Sequence, residues 1–233
     1  MTPVSPYFTP AFFGFFRDLT RHNDRDWFAA NKARYVADVE TPLLQFIGDF
    51  ATHLRAISPA FVADRRRVGG SMFRIHRDTR FSPDKSPFKT YTAARFAHEA
   101  RRKVDGVPAF FLHLGPDHSF GGGGVYHIDL PQLTKIRTRI VESPDEWSAV
   151  RARVDVQGEQ LKRAPAGFRA SHPHVEDLRR QNLYTLTEFS EHEVVADDFI
   201  HQFAEACANA APLIEFQTKA LGLRWGMGSI SRP

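Results

Sequence analysis

The chain has 233 residues, of which 42% are hydrophobic, 25% charged and 12% aromatic, and its formal net charge is +4. A chain of this length and balance buries a sizeable core, which excludes a disordered or fibrous protein, and no apolar run approaches the ~20 residues of a membrane helix. The single cysteine, Cys207, excludes an internal disulfide and a thiolate-rich zinc site, and Met1–Pro10 carries no signal-peptide pattern, so a cytoplasmic protein is expected.

Thr9-Pro10 reads as an N-cap followed by proline at the first helical position, and Phe12, Phe13, Phe15, Phe16 and Leu19 make the first helix densely apolar. Asn23 is expected to cap a second helix, with Asp24 and Asp26 in its first turn. Phe28, Tyr35, Val39, Leu43, Phe46, Phe50, Leu54 and Ile57 give that segment a helical stripe. Pro42 either kinks it or starts a new helix, and Ser58-Pro59 ends it. With 21 Phe against 5 Tyr and 3 Trp, the core is expected to be rich in phenylalanine.

Residues 60–70 read as a basic loop ending in Gly69-Gly70. From Met72 to Asp78 the residues alternate, Phe73 and Ile75 opposite Arg74 and His76, which predicts a strand. Asp78 to Thr90, with Pro83 and Pro87, is neither a regular helix nor a central strand. Pro108–Leu114 and Val125–Ile128 predict a hairpin with a wide loop. Within that loop, Gly121–Gly124 reads as a flexible tip or bulge. It lacks the Lys-Ser/Thr of a phosphate-binding loop and opens no helix.

Pro131 to Val141 predicts a helix facing inward with Leu133, Ile136 and Ile140, and Ser143-Pro144-Asp145-Glu146 reads as a capping box starting another. Residues 155–181 are loop-rich, and Asn182 to Phe189 predicts a strand. A long helix is expected from Asp198 to Leu221, with Cys207 on its apolar face, Pro212 kinking it and Gly222 at its left-handed cap. The tail 224–233 is read as flexible. With no repeat and no linker, residues 1–233 are expected to form a single α+β domain, long helices packed on a small, mainly antiparallel sheet.

The charge is unevenly placed. Residues 65–103 hold 12 Lys or Arg and three acids, a net +9, while the remainder nets −5. Such asymmetry speaks of partners rather than fold. The densest part is the loop 74–90, where Arg74, Arg77, Arg80, Lys85 and Lys89 are the candidate ligand-binding residues. Arginine forks and lysine point charges suit phosphate and carboxylate. Asp78 and Asp84 would orient those cations. His76, the one group there that titrates near neutrality, joins them as a catalytic candidate.

The same stretch carries a resemblance. Asn23-x-x-x-Trp27-Phe28, Lys32-x-x-Tyr35 and the run Phe73-Arg74-Ile75-x-Arg77-Asp78-Thr79-Arg80-Phe81-Ser82-x-Asp84-Lys85-x-Pro87-Phe88-Lys89-Thr90 resemble a bacterial family, domain of unknown function 2461. Leu112-His113-Leu114, the glycines 121–124 and Lys162-Arg163-x-Pro165-x-Gly167-Phe168 are similar to it too. The resemblance covers nearly the whole chain. It implies a single-domain bacterial protein and no activity to carry over.

Among the other residues, His113, His118 and His127, with Asp117, are weak metal candidates whose spacings match no compact ligand motif, so no metal is expected. No cofactor can be named. The leading expectation is an anionic small-molecule ligand bound by the loop 74–90. If the loop catalyses, phosphoester hydrolysis or transfer is the least forced reaction. Two alternatives stay open. One is a nucleic-acid-binding module using the whole basic segment, Arg65–Arg67 and Arg101–Lys103 included. The other is a structural or regulatory protein in which Arg77, Asp78, Arg80 and Asp84 pair with one another. No membrane partner is expected, and the oligomeric state is left open.

Overall fold

In the computed structural model, which describes residues 6–102 and 106–226, the phenylalanine-rich start of the chain forms α1 (Pro10–Arg21). It buries Phe12, Phe13, Phe15, Phe16 and Leu19, so it is enclosed rather than laid on a surface. Asp24, not Asn23, caps α2 (Arg25–Ala30), its carboxylate accepting the Trp27 N–H at 2.8 Å. A carboxylate also complements the positive end of the helix. α3 (Lys32–Tyr35) follows and runs through one wide π turn, Val36–Glu40, into α4 (Thr41–Ile57). Pro42 comes just after that wide turn inside a continuous helical run, and the wide turn is the local departure from α-helix that goes with the N–H it lacks.

The four strands form an antiparallel sheet in chain order: β1 (Thr92–Ala97), β2 (Ala109–Leu114), β3 (Ser119–Val125) and β4 (Leu183–Glu188). The glycine run is the middle of β3, with Phe110 opposite Gly123 and Leu112 opposite Gly121. The hairpin turn lies earlier, at residues 115–118. The expectation of a glycine tip is corrected by the helix behind the sheet, α9 (Phe199–Ala220). A Cβ on Gly123 would stand 2.1 Å from Ile214 Cδ1, and one on Gly121 would stand 2.7 Å from the Phe203 ring. Bare backbone lets α9 press directly onto the strand.

The segment expected as a strand at 72–78 is an irregular border to the sheet. Phe73 N–H donates to Ala93 at 2.9 Å and Arg95 N–H donates to Ser71 at 2.8 Å, while His76 bridges to Phe88. At the other border, Gln157 N–H donates to Tyr184 at 2.7 Å. Between β3 and β4 lie α5 (Leu130–Glu142), α6 (Pro144–Arg151) and the single turn α7 (Val175–Leu178). Ser143 makes no side-chain capping bond; its N–H donates to the Arg139 carbonyl at 2.9 Å and Glu146 pairs with the Arg139 side chain at 2.7 Å, so the reciprocal half of the box is absent too. A complete capping box forms instead at Ser190 and Glu193, opening α8 (Glu191–Val194).

The core has two main clusters. One joins α1, α4 and the first half of α9 around Phe46, Phe50, Phe96 and Phe203, with Cys207 fully enclosed in it. The other surrounds Trp147 beneath α5, α6 and the end of α9. The long helix passes through Pro212 and belongs to both, which makes one α+β domain of the whole. Gly222 follows it at φ +70, as expected of a left-handed cap. The first residues of the tail are held. Arg224 pairs with Glu99 at 2.8 Å, its carbonyl lies 2.7 Å from His98 Nε2, and the Trp225 ring packs on Phe61. Residues 227–233 lie outside the described residues. No described helix is long and apolar enough to cross a membrane.

Candidate functional site

Helix α9 covers one face of the sheet, and the other face is open. Strand alternation decides what it carries. Phe110, Leu112 and Leu114 point to the core, so Ala109, Phe111 and His113 point away from it. Across the register lie Arg95 and Ala93 on β1, Phe120, Gly122 and Gly124 on β3, and Leu186 and Tyr184 on β4. With Phe73, Lys89, Tyr91, Tyr126 and His127 at the rim, these residues, Gly122 excepted, line a cleft of about 720 Å³.

Aromatic contacts organise it. His113 is sandwiched between Tyr91, at 4.2 Å, and Phe120, at 4.6 Å and nearly parallel. Phe111 meets Phe120 edge to face at 5.9 Å, and Tyr126 meets Tyr184 in the same way at 5.8 Å. His127 has left-handed backbone, φ 52, fixed by the Asn182 side chain, whose Oδ1 accepts its N–H at 2.8 Å. A non-glycine residue held there carries a strain that concentrates at functional sites.

Two cations face this cleft. Lys89 is half-buried. Its Nζ donates to the Arg74 carbonyl at 2.9 Å and stands 5.5 Å from the Phe73 ring centre. Burial pulls its pKa down, and the charge of Arg74 adds to that. Arg95 donates to the Val107 carbonyl at 2.9 Å, and burial also lowers its pKa, with Arg101 adding. Among the described residues neither has a carboxylate partner.

Burial between rings, followed by the charge of His118, pushes the His113 pKa from 6.5 to about 4. The folded chain thus resists a proton that the unfolded chain accepts. The stability this gives is complete above about pH 6.5 and is lost as pH falls toward 4. The expected loss from this group is about 2 kcal/mol at pH 5. Urea denaturation at pH 7.5 and pH 5 checks it, because His113→Phe should remove this share of the difference and leave that of His76, whose pKa burial also lowers.

The loop 74–90 is placed differently from its lysine. Arg77 pairs with Asp84, Arg80 pairs with Asp78 at 2.7 Å, and Lys85 donates to the Thr79 carbonyl at 3.0 Å. The Ser86 hydroxyl, and then Arg77, hold the Asp84 carboxyl well below its usual range, and Arg80 lowers that of Asp78. His76 turns to the other side, against Phe28 and Phe88. Burial lowers its pKa, with Lys32, Arg74 and Arg25 adding. Arg74, Arg77, Arg80, Lys85, His76, Asp78 and Asp84 do not line the cleft; of the loop's candidates only Lys89 does. Asn23 fixes the end of the loop, its Nδ2 donating to the Phe88 carbonyl at 3.0 Å and its Oδ1 accepting the Phe88 N–H at 3.1 Å.

The flanking arginines are also engaged. Arg66 pairs with Asp64, Arg67 reaches the buried Glu40 at 2.9 Å, Arg65 packs beside Gly48, and Arg101 donates to the Gly69 carbonyl. The Arg102 side chain and Lys103 lie outside the described residues. His113 and His127 share the cleft, whereas Asp117 and His118 line a separate hollow of about 220 Å³ with Glu188 and Glu191. Among the described residues no three His, Cys, Asp or Glu side chains form a group able to hold a metal.

Sequence reasoning passed over Tyr91, Arg95, Phe111, Phe120, Tyr126 and Tyr184. One signal was there to read. Ala109–Leu114 is apolar on both strand faces, and Phe111 beside His113 marks the second face as aromatic rather than solvated. A family model described as "Conserved hypothetical protein (DUF2461)" matches residues 11–216. No curated protein and no solved structure matches the chain.

Proposed function

Since the chain belongs to the DUF2461 family, described only as conserved hypothetical proteins, we propose a function from the site alone: the cleft binds an anionic small molecule with an apolar body. The observation that carries this reading is the pair Lys89 and Arg95, half-buried cations beside an aromatic cleft, with carbonyls but no described carboxylate as partners. Taking a cation partly out of water is costly unless a counter-charge is supplied, and a ligand's anionic group supplies it. A volume of about 720 Å³ is that of a small-molecule site. The loop tip 78–86 serves as the scaffold that delivers Lys89. The pairs Arg77–Asp84 and Arg80–Asp78 favour this second, structural role for it.

The anionic fluorophore 8-anilinonaphthalene-1-sulfonate tests the reading. Saturable fluorescence enhancement at one site per chain is expected. Lys89→Ala should weaken it about tenfold, the worth of one charge-assisted hydrogen bond. Absence of a saturable site at low salt would overturn the proposal. So would an affinity that collapses steeply with salt, which belongs to a polyanion tracked by many cations.

A further inference from the structure

On the open face, Phe120, Gly122 and Gly124 of β3 are followed just past its end by Tyr126, so two positions without side chains stand between two rings, and of the two Gly124 lines the cleft. At about 3.4 Å per residue, alternate positions on a strand stand about 7 Å apart. Phe120 and Tyr126 therefore stand at the two ends of a stretch of bare backbone. The neighbouring strands continue the pattern. Phe111 lies opposite Gly122 and Tyr184 opposite Gly124, while Ala109 and Ala93 keep the floor low. The two edge-to-face pairs, Phe111–Phe120 and Tyr126–Tyr184, come from neighbouring strands and stand at opposite ends of this floor. Lys89 and Arg95 lie to one side, by β1.

We infer that the ligand is a planar aromatic compound carrying its anionic group at one end, its ring lying on the floor at Gly124 and Ala109 between the two aromatic pairs and its anion directed to Lys89 and Arg95. The inference rests on the proposed binding role of the cleft and narrows it. Rings meet rings in offset or edge-to-face contact, which gains energy beyond buried area. A flat ligand also enters with little conformational entropy to lose, whereas a chain of equal carbon number must freeze its rotors. A floor of glycine and alanine gives a rigid plane a full contact area and gives an alkyl chain no groove to follow.

Displacement of bound 8-anilinonaphthalene-1-sulfonate by 1-naphthyl phosphate and by n-octyl phosphate separates the possibilities, because the two share a headgroup and differ in the body. The naphthyl ester is expected to displace the dye at a concentration at least tenfold lower. Tyr126→Leu, at a residue 61% exposed and outside the core, should raise the naphthyl requirement several-fold and leave the octyl one unchanged. Equal displacement by both esters, or a preference for octyl, overturns the aromatic inference while the anion-binding reading stands. Displacement by neither overturns it as well. Absence of saturable dye binding in the unmodified protein removes the reading beneath it.

Discussion

Phe203→Ala is expected to cost about 3–5 kcal/mol, the range for emptying an aromatic site in a rigid core. The ring sits where four elements meet, 4.7 Å from Phe50, 5.7 Å from Phe46 and 5.8 Å from Phe96 between centroids, over the bare backbone of Gly121. None of these can move into the space. Phe96 is tied to the sheet ladder, Phe46 and Phe50 belong to α4, and Gly121 has no side chain to extend. The loss is thus the transfer of the ring together with a cavity that stays open. A domain is stable by roughly 5–15 kcal/mol, so this one change removes a large share of the total. Urea denaturation should show the midpoint falling with the slope preserved, and Phe203→Leu should recover most of the difference. A loss below about 1 kcal/mol would mean that α9 does not seat on β3 as described.

The second large effect is at Gly124. Its φ is +144, and a Cβ there would stand 2.3 Å from the Leu183 carbonyl oxygen and 2.6 Å from Tyr184 Cα. Both obstacles are backbone of the paired strand, so no side-chain rotation relieves them. Gly124→Ala is expected to cost about 3 kcal/mol or more, backbone strain added to overpacking. The useful control is Gly167→Ala, at φ +85 with nothing within 4 Å of the new methyl. It should show the left-handed strain alone, about 1–2 kcal/mol. Dye titration gives a second readout. Pushing β4 away moves Tyr184 from the cleft wall, so Gly124→Ala should weaken dye binding and Gly167→Ala should not.

These two residues show what the sequence made readable and what it concealed. The helices were legible because their signals are local: Asp24 and Pro42 near helix starts, the Phe46–Phe50–Leu54 stripe, Gly222 at the last cap. The α+β class followed from them. The sheet was half legible. Strand β2 shows in its apolar run and β4 in its tyrosine and threonines, but β3 has glycine at four successive positions, and a glycine run carries no periodicity to read. What makes those positions a strand is α9, nearly eighty residues later in the chain. The capping box expected at Ser143 is absent where the preceding helix intervenes, Arg139 accepting the Ser143 N–H at its carbonyl and holding Glu146 with its side chain.

The site was legible in its charge and not in its direction. Counting cations singled out the loop 74–90, yet a count cannot tell a cation that meets a carboxylate from one that does not. Asp84 is nearer in sequence to Lys89 than to Arg77, yet it pairs with Arg77, because Lys89 lies past Pro87, where Asn23 holds the backbone of Phe88 from another part of the chain. The aromatic wall is contributed by three strands and the segments beside them, and only their register joins it.

Cys207 gives the molecule a property that none of its other residues offers. It is the only thiol in the chain, it is 0% exposed in the cluster that holds Phe203, and burial raises its pKa well above the ordinary value. Both the access and the thiolate that an alkylating reagent needs are therefore missing until that cluster opens. The rate at which an excess of reagent marks the chain is then the frequency of core opening itself, counted one molecule at a time and with no label engineered in. The fold comes with its own stopwatch, set at the point where the long helix meets the aromatic core.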